Sequence, residues 1–141
     1  MANIIPTAFK TELLSGTHNF ANGGNTFKLA LYTDITGFSA SSTAYSTTGE
    51  VSTTGTNYSA KGNALDGQAV AATGTTAHAT FSAETFSSVS LTAVGAVILN
   101  TSASDKLCLV LDFGGSKTAT NGDFIVQFPT ANATDAILRI A

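Results

Sequence analysis

The chain has 141 residues, 43% of them apolar and only 11% charged, with 37 Ser and Thr, two His, one Cys and no Trp, which is enough to bury the core of one domain without disulfides. Its net charge is −3, and the six Lys and Arg stand singly at positions 10, 28, 61, 106, 117 and 139, so no basic stripe exists to meet a phosphate backbone. No apolar run nears the roughly 20 residues that cross a bilayer, and the basic, apolar, small-residue order of a signal peptide is missing, so neither nucleic acid nor a membrane is expected as partner and the chain is expected to be made and kept in the cytosol until assembly.

Solubility in such a chain comes from hydroxyls, and Thr, Ser, Gly and Ala richness with nine Phe and three Tyr favours many short strands over charged helices. The first stretch is the exception. "IIPTAFKTELLSG" (4–16) spaces Ile5, Phe9 and Leu13 at i, i+4 and i+8, with Pro6 near the first turn and Gly16 where a C-cap falls. This predicts one short amphipathic helix near residues 6–14, inside an N-terminal arm of residues 1–20. A helix that short cannot stand alone, so its apolar face must dock on its own sheet or on a neighbouring subunit.

After an Asn-Gly-Gly-Asn turn, "TFKLALYT" (26–33) alternates Phe27, Leu29 and Leu31 against Lys28, Ala30 and Tyr32, the pattern of a strand. Residues 34–57 are too polar to fill a core, yet they are dotted with Ile35, Phe38, Tyr45 and Val51. They read as a long ordered loop with at most a short edge strand, and loops of that length in a compact domain are commonly functional. Further strands are predicted at 58–65, 68–73, 77–82, 89–100, 106–113, 123–129 and 136–140, nearly all separated by turn residues. The whole of 1–141 is therefore predicted to be a single all-β domain, an antiparallel β-sandwich or barrel of about seven or eight short strands with one short N-terminal helix.

"LVLDFGGSKTATNGDFIVQFP" (109–129) puts apolar alternation on both sides of a polar, glycine-bearing middle. Leu107, Leu109, Leu111 and Phe113 on one flank, and Phe124, Val126 and Phe128 on the other, predict a hairpin over 106–128 with a long turn. Its DFG lacks the other parts of a kinase, and "GGSKT" lacks both the spacing and the helix of a phosphate-binding loop. Asp112, Asn121 and Asp123 could gather oxygens for calcium at that turn, although turns carry such residues for backbone reasons too. Cys108 reads as a small packing residue on one strand face with Lys106, Val110 and Asp112, far in sequence from both histidines. His78 reads as a solvated strand residue opposite Ala77, Ala79 and Phe81. The sequons at Asn57, Asn100 and Asn132 carry little weight without secretion. No catalytic set, cofactor motif or metal-ligand spacing emerges, so no enzyme activity is expected.

"FKTELLSGTHNF" (9–20), "FKLALYT" (27–33), "STAYSTTGEV" (42–51), "GTNYSAKGNAL" (55–65), "GAVILN" (95–100) and "VLDFGGSKTATNGDFIVQFP" (110–129) together resemble, in order and over most of the chain, a family of small tailed-bacteriophage virion proteins. The resemblance implies a capsid decoration or cement protein on the exterior of the virion, bound to the major capsid protein lattice as a small homo-oligomer. A tail, neck or fibre component is the alternative within the virion. A host-glycan-binding module is another, and it would call for exposed aromatic platforms. For attachment, the helix and the 34–57 loop offer Phe9, Leu13, Phe38 and Tyr45 as anchors, with Phe9 open to the other reading that it closes the chain's own core.

Overall fold

The computed structural model describes residues 3–141; Met1 and Ala2, at the start of the predicted arm, lie outside the described residues. One helix, α1 (Thr7–Leu14), precedes seven strands: β1 (Phe27–Tyr32), β2 (Asn63–Ala64), β3 (Ala69–Thr73), β4 (Thr76–Thr80), β5 (Glu84–Asn100), β6 (Lys106–Val126) and β7 (Leu138–Ile140). A four-stranded sheet has the order β2-β1-β5-β6 and a three-stranded sheet the order β3-β4-β7, with every pairing antiparallel. The predicted all-β class with one short N-terminal helix is the observed one. Pro6 precedes the first turn of α1, and Gly16, with φ near +81°, closes its end while the Thr17 amide donates to the Glu12 carbonyl at 2.9 Å.

The large sheet is covered on both faces. On one face α1 and the small sheet close over Phe27, Leu29, Leu31, Ile98, Leu109 and Leu111, adding Phe9, Phe20, Phe81 and Leu138. Phe20 stacks on Phe27 with ring centroids 4.4 Å apart. On the other face Ala30, Tyr32, Val97, Leu99, Leu107 and Val110 are sealed by Ile35 and Phe38 from the 34–57 segment. Each such large apolar side chain contributes about 1.5–3 kcal/mol by leaving water, so the segment is part of the core. It forms no strand of its own: its polar run supports only isolated bridges, Glu50 to Tyr32 and Ala44 to Lys106, with the Val51 amide bonded to the Leu31 carbonyl.

The predicted hairpin over 106–128 is not formed. β5 and β6 make one long ribbon whose turn is at 101–105, and the apolar flanks of the predicted hairpin lie along β6 up to Val126, with Leu107, Leu109, Leu111, Phe124 and Val126 paired to β5 and Phe128 just past its end. The polar middle is a bulge: Gly95 opposes Asp112 but Ala93 opposes Lys117, so β6 carries three extra residues there. Gly114, with φ near +77°, supplies the left-handed backbone this needs. The two flanks still meet at Phe113 and Phe124, 6.0 Å apart, through the curl that the bulges give the ribbon. Another single-residue bulge falls at Cys108, between the pairs Leu99 to Leu107 and Ile98 to Leu109. It turns Leu107 to the loop-covered face while Cys108 joins Leu109 and Leu111 on the other, so Cys108 does not share a face with Val110. Leu109, Leu111, Phe124 and Val126 are core residues as expected. The strand expected over 58–65 shrinks to two residues because Lys61 and Gly62 both take positive φ.

Candidate functional site

Folding brings together residues that the sequence keeps apart. His18, Asn100 and Cys108 meet under the C-terminal end of α1, with Sγ of Cys108 3.7 Å from Nδ1 of His18. The Ser102 amide donates to Oδ1 of Asn100 at 3.0 Å, which turns the Asn100 amide nitrogen to His18 Nδ1 at 2.9 Å. Since that nitrogen can only donate, Nδ1 accepts and the ring proton sits on Nε2, where it donates to Glu12 Oε1 at 3.2 Å. Burial works against the Glu12 charge, but hydrogen bonds from Lys106 and His18 outweigh it and hold the carboxyl below its ordinary value. The thiol–imidazole–carboxylate order is that of a nucleophile with its base. Its surroundings give it another use: Cys108 and Asn100 are completely buried, and burial, helped by the Glu12 charge, pushes the thiol far above its ordinary value. The cluster is a polar clasp that ties α1 to β5 and β6. The sequence expectation that Cys108 stood apart from both histidines is corrected here, while its packing role stands.

A second cluster gathers all three tyrosines around Glu50. Tyr45 and Tyr58 donate to its two carboxylate oxygens, the Lys61 amide adds a bond of 2.7 Å, and Tyr32 donates to the Ser46 carbonyl nearby. With Tyr32 and Tyr58 buried and Tyr45 half-buried beneath Lys61, none of them forms an exposed aromatic platform. Asp112, Asn121 and Asp123 are not gathered across a turn, because the strand runs straight through it. Asp112 accepts from the Gly114 amide, Asn121 from the Ser90 hydroxyl and Asp123 from the Ser88 amide. Among the described residues no group of three His, Cys, Asp or Glu side chains is placed to hold a metal ion. His78 is buried, contrary to expectation, because it sits in the middle of the central strand of the small sheet between Ala71 and Arg139, with Nε2 3.1 Å from the Thr73 hydroxyl.

What remains on the outside is an apolar face. Of the five exposed large apolar side chains among the described residues, Ile5, Leu14, Val70 and Ile140 line two neighbouring recesses, and Ile125 lies elsewhere. The larger, about 450 Å³, runs between the 16–21 segment and the small sheet; the smaller, about 280 Å³, lies between α1 and β7. Leu13, Leu138 and Ile140 border both. Of the four predicted anchors, Leu13 borders both recesses and Phe9 lies at the floor of the smaller one. Phe9 is completely buried against His18 and Phe20, and Phe38 stands edge-on to Tyr32 at 5.1 Å, so both fill the chain's own core and have no area to give a partner. Tyr45 is committed to Glu50. Nothing in the sequence marks Leu14 as 90% exposed, since an outward Leu next to an inward one looks like a wider helix face. Compared with known protein families, with curated proteins and with solved structures, the chain matches none.

Proposed function

We propose that this chain is a virion structural protein of a tailed bacteriophage, a decoration or cement protein that binds the major capsid protein lattice on the outside of the head and stabilises it. The observation that carries the reading is the grouping of Ile5, Leu14, Val70 and Ile140 on one face of a low-charge, hydroxyl-rich body. Contiguous apolar surface of this kind serves association. The sequence resemblance supplies the class of partner. A repeated lattice allows modest contacts at each copy to add up to firm attachment.

The test is co-sedimentation of purified protein with heads lacking it, and in parallel with isolated tails. Wild type should saturate the heads, and about 0.5 M salt should not strip it, because a contact with few charges is little affected by screening. Leu14→Ser combined with Ile140→Ser changes two exposed positions and should leave a folded protein that no longer sediments with heads. Full occupancy by that variant would overturn the surface, and binding to tails alone would overturn the capsid assignment.

A further inference from the structure

We infer that β3 is an open sheet edge that pairs antiparallel with β3 of a second copy, joining two small sheets into one six-stranded sheet. The argument starts from hydrogen-bond alternation. The two-residue turn Gly74–Thr75 makes Thr73 and Thr76 a hydrogen-bonded pair. Alternation then makes Ala71 with His78, and Ala69 with Thr80, bonded pairs as well. Val70 and Ala72 are left with their N–H and C=O groups pointing away from β4, along the edge.

Those two residues lie symmetrically about Ala71. A two-fold axis through Ala71 sets Val70 opposite Ala72 of the second copy and Ala72 opposite its Val70, forming two narrow pairs and four backbone hydrogen bonds. Ala71 faces its own symmetry mate in the closer, non-bonded type of pair, where a methyl fits. All five residues of β3 are exposed, and none is charged or proline. Val70, Ala72, Ala77, Ala79, Leu138 and Ile140 share one face by register; Ala79 and Leu138 pack on the core, and the exposed Val70, Ala72, Ala77 and Ile140 extend that apolar face toward the junction.

The other edges are shorter, covered, bulged or charged, which singles out this one. Ile4 and the Thr43 carbonyl bond to the outer side of β6 at Val110 and Leu107, the rest of β6 is broken by bulges and carries Lys117 and Asp123, and β2 is only two residues long. At β7 the register leaves the outward backbone groups to Arg139 alone, a charged residue in a three-residue strand. Short or charged edges resist pairing, and an uncharged run of five does not.

The test is sedimentation of the full chain from about 1 μM to about 1 mM, the range in which a small interface becomes visible. Wild type should shift from monomer to dimer. Ala71→Glu, which puts like charges on the two-fold axis, should keep its melting temperature and raise the dimer dissociation constant several-fold. Ala71→Lys should do the same, and mixing the two variants should restore the dimer. Should a charge at 71 disturb the fold, Ala72→Pro removes one outward N–H and must also weaken the dimer. A wild type that stays monomeric throughout, or an Ala71→Glu variant that dimerises like wild type, would overturn the pairing. No phage shell enters the measurement, so its failure is separate from failure of the capsid reading.

Discussion

The tyrosine cluster yields a prediction with little background, because the chain has three tyrosines, no tryptophan, and all three phenols around Glu50. Burial first, and the Glu50 carboxylate with it, pushes all three well above their ordinary value of 10.0. A folded-state pKa above the unfolded one means that the native protein keeps a proton the unfolded chain gives up. The stability this represents is intact below pH 10 and is lost as the pH rises beyond it. Each group costs about 1.4 kcal/mol per pH unit in that range. Counting only the buried Tyr32 and Tyr58, and leaving out the half-buried Tyr45, about 5 kcal/mol is gone near pH 12. That is a large part of the roughly 5–15 kcal/mol that holds a domain together. In an alkaline titration followed by tyrosinate absorbance and near-ultraviolet circular dichroism, native protein should show almost no tyrosinate at pH 10. The signal should then appear together with loss of the fold. Glu50→Gln keeps one acceptor but leaves other donors without one, so it should cost about 1–3 kcal/mol and bring the titration down toward the ordinary value. Ionisation of Tyr32 and Tyr58 near pH 10 with the dichroism unchanged would refute the reasoning.

Leu111→Ala and Phe9→Ala should each cost about 2–5 kcal/mol in denaturant titration, and a loss under about 0.5 kcal/mol would contradict their core placement. At Gly95 an added Cβ would run into the Leu111 carbonyl oxygen and lie 2.9 Å from Ile35, so Gly95→Ala should destabilise by about 1–3 kcal/mol, and an unchanged midpoint would count against the close approach of β5 to β6. Cys108 should resist thiol reagents until denaturant is added, whereas rapid labelling of native protein would mean that the clasp opens. A chelator should leave the melting temperature unchanged, and a drop that calcium restores would revive the oxygen site at Asp112, Asn121 and Asp123.

Much of the fold was legible because period-two alternation is a local signal. β1 and the apolar ends of β5 and β6 follow it, and the helix followed from the Phe9 and Leu13 spacing with its Pro and Gly ends. The misreading at 114–122 has a specific cause. Gly114, Gly115, Asn121 and Gly122 have the chemistry of a reversing turn, and bulges need the same left-handed residues: Gly114 and Asn121 do take positive φ. Only the partner strand distinguishes the two cases. β5 is long enough to pair with both flanks, and that length was hidden because the ribbon begins at Glu84, five residues before its apolar alternation becomes clear.

Phe9 and Phe38 lie in the chain's own core and not on its surface for a related reason. An aromatic side chain on a polar background signals burial, but it does not say whose core receives it. The large sheet has two apolar faces and one eight-residue helix, which with the small sheet covers a single face. The second face therefore has to take its cover from coil, and the Phe38 and Ile35 side chains are what the 34–57 segment brings to it. The small sheet is in the opposite position. Its strands carry alanine and single large residues, so no aromatic draws attention to them, yet Val70 and Ile140 stay outside and the β3 edge lacks the charge or proline that would close it. Residues too small to dominate a hydropathy pattern thus make the surface with the most capacity left for a partner, because the bulky ones are already used within the chain.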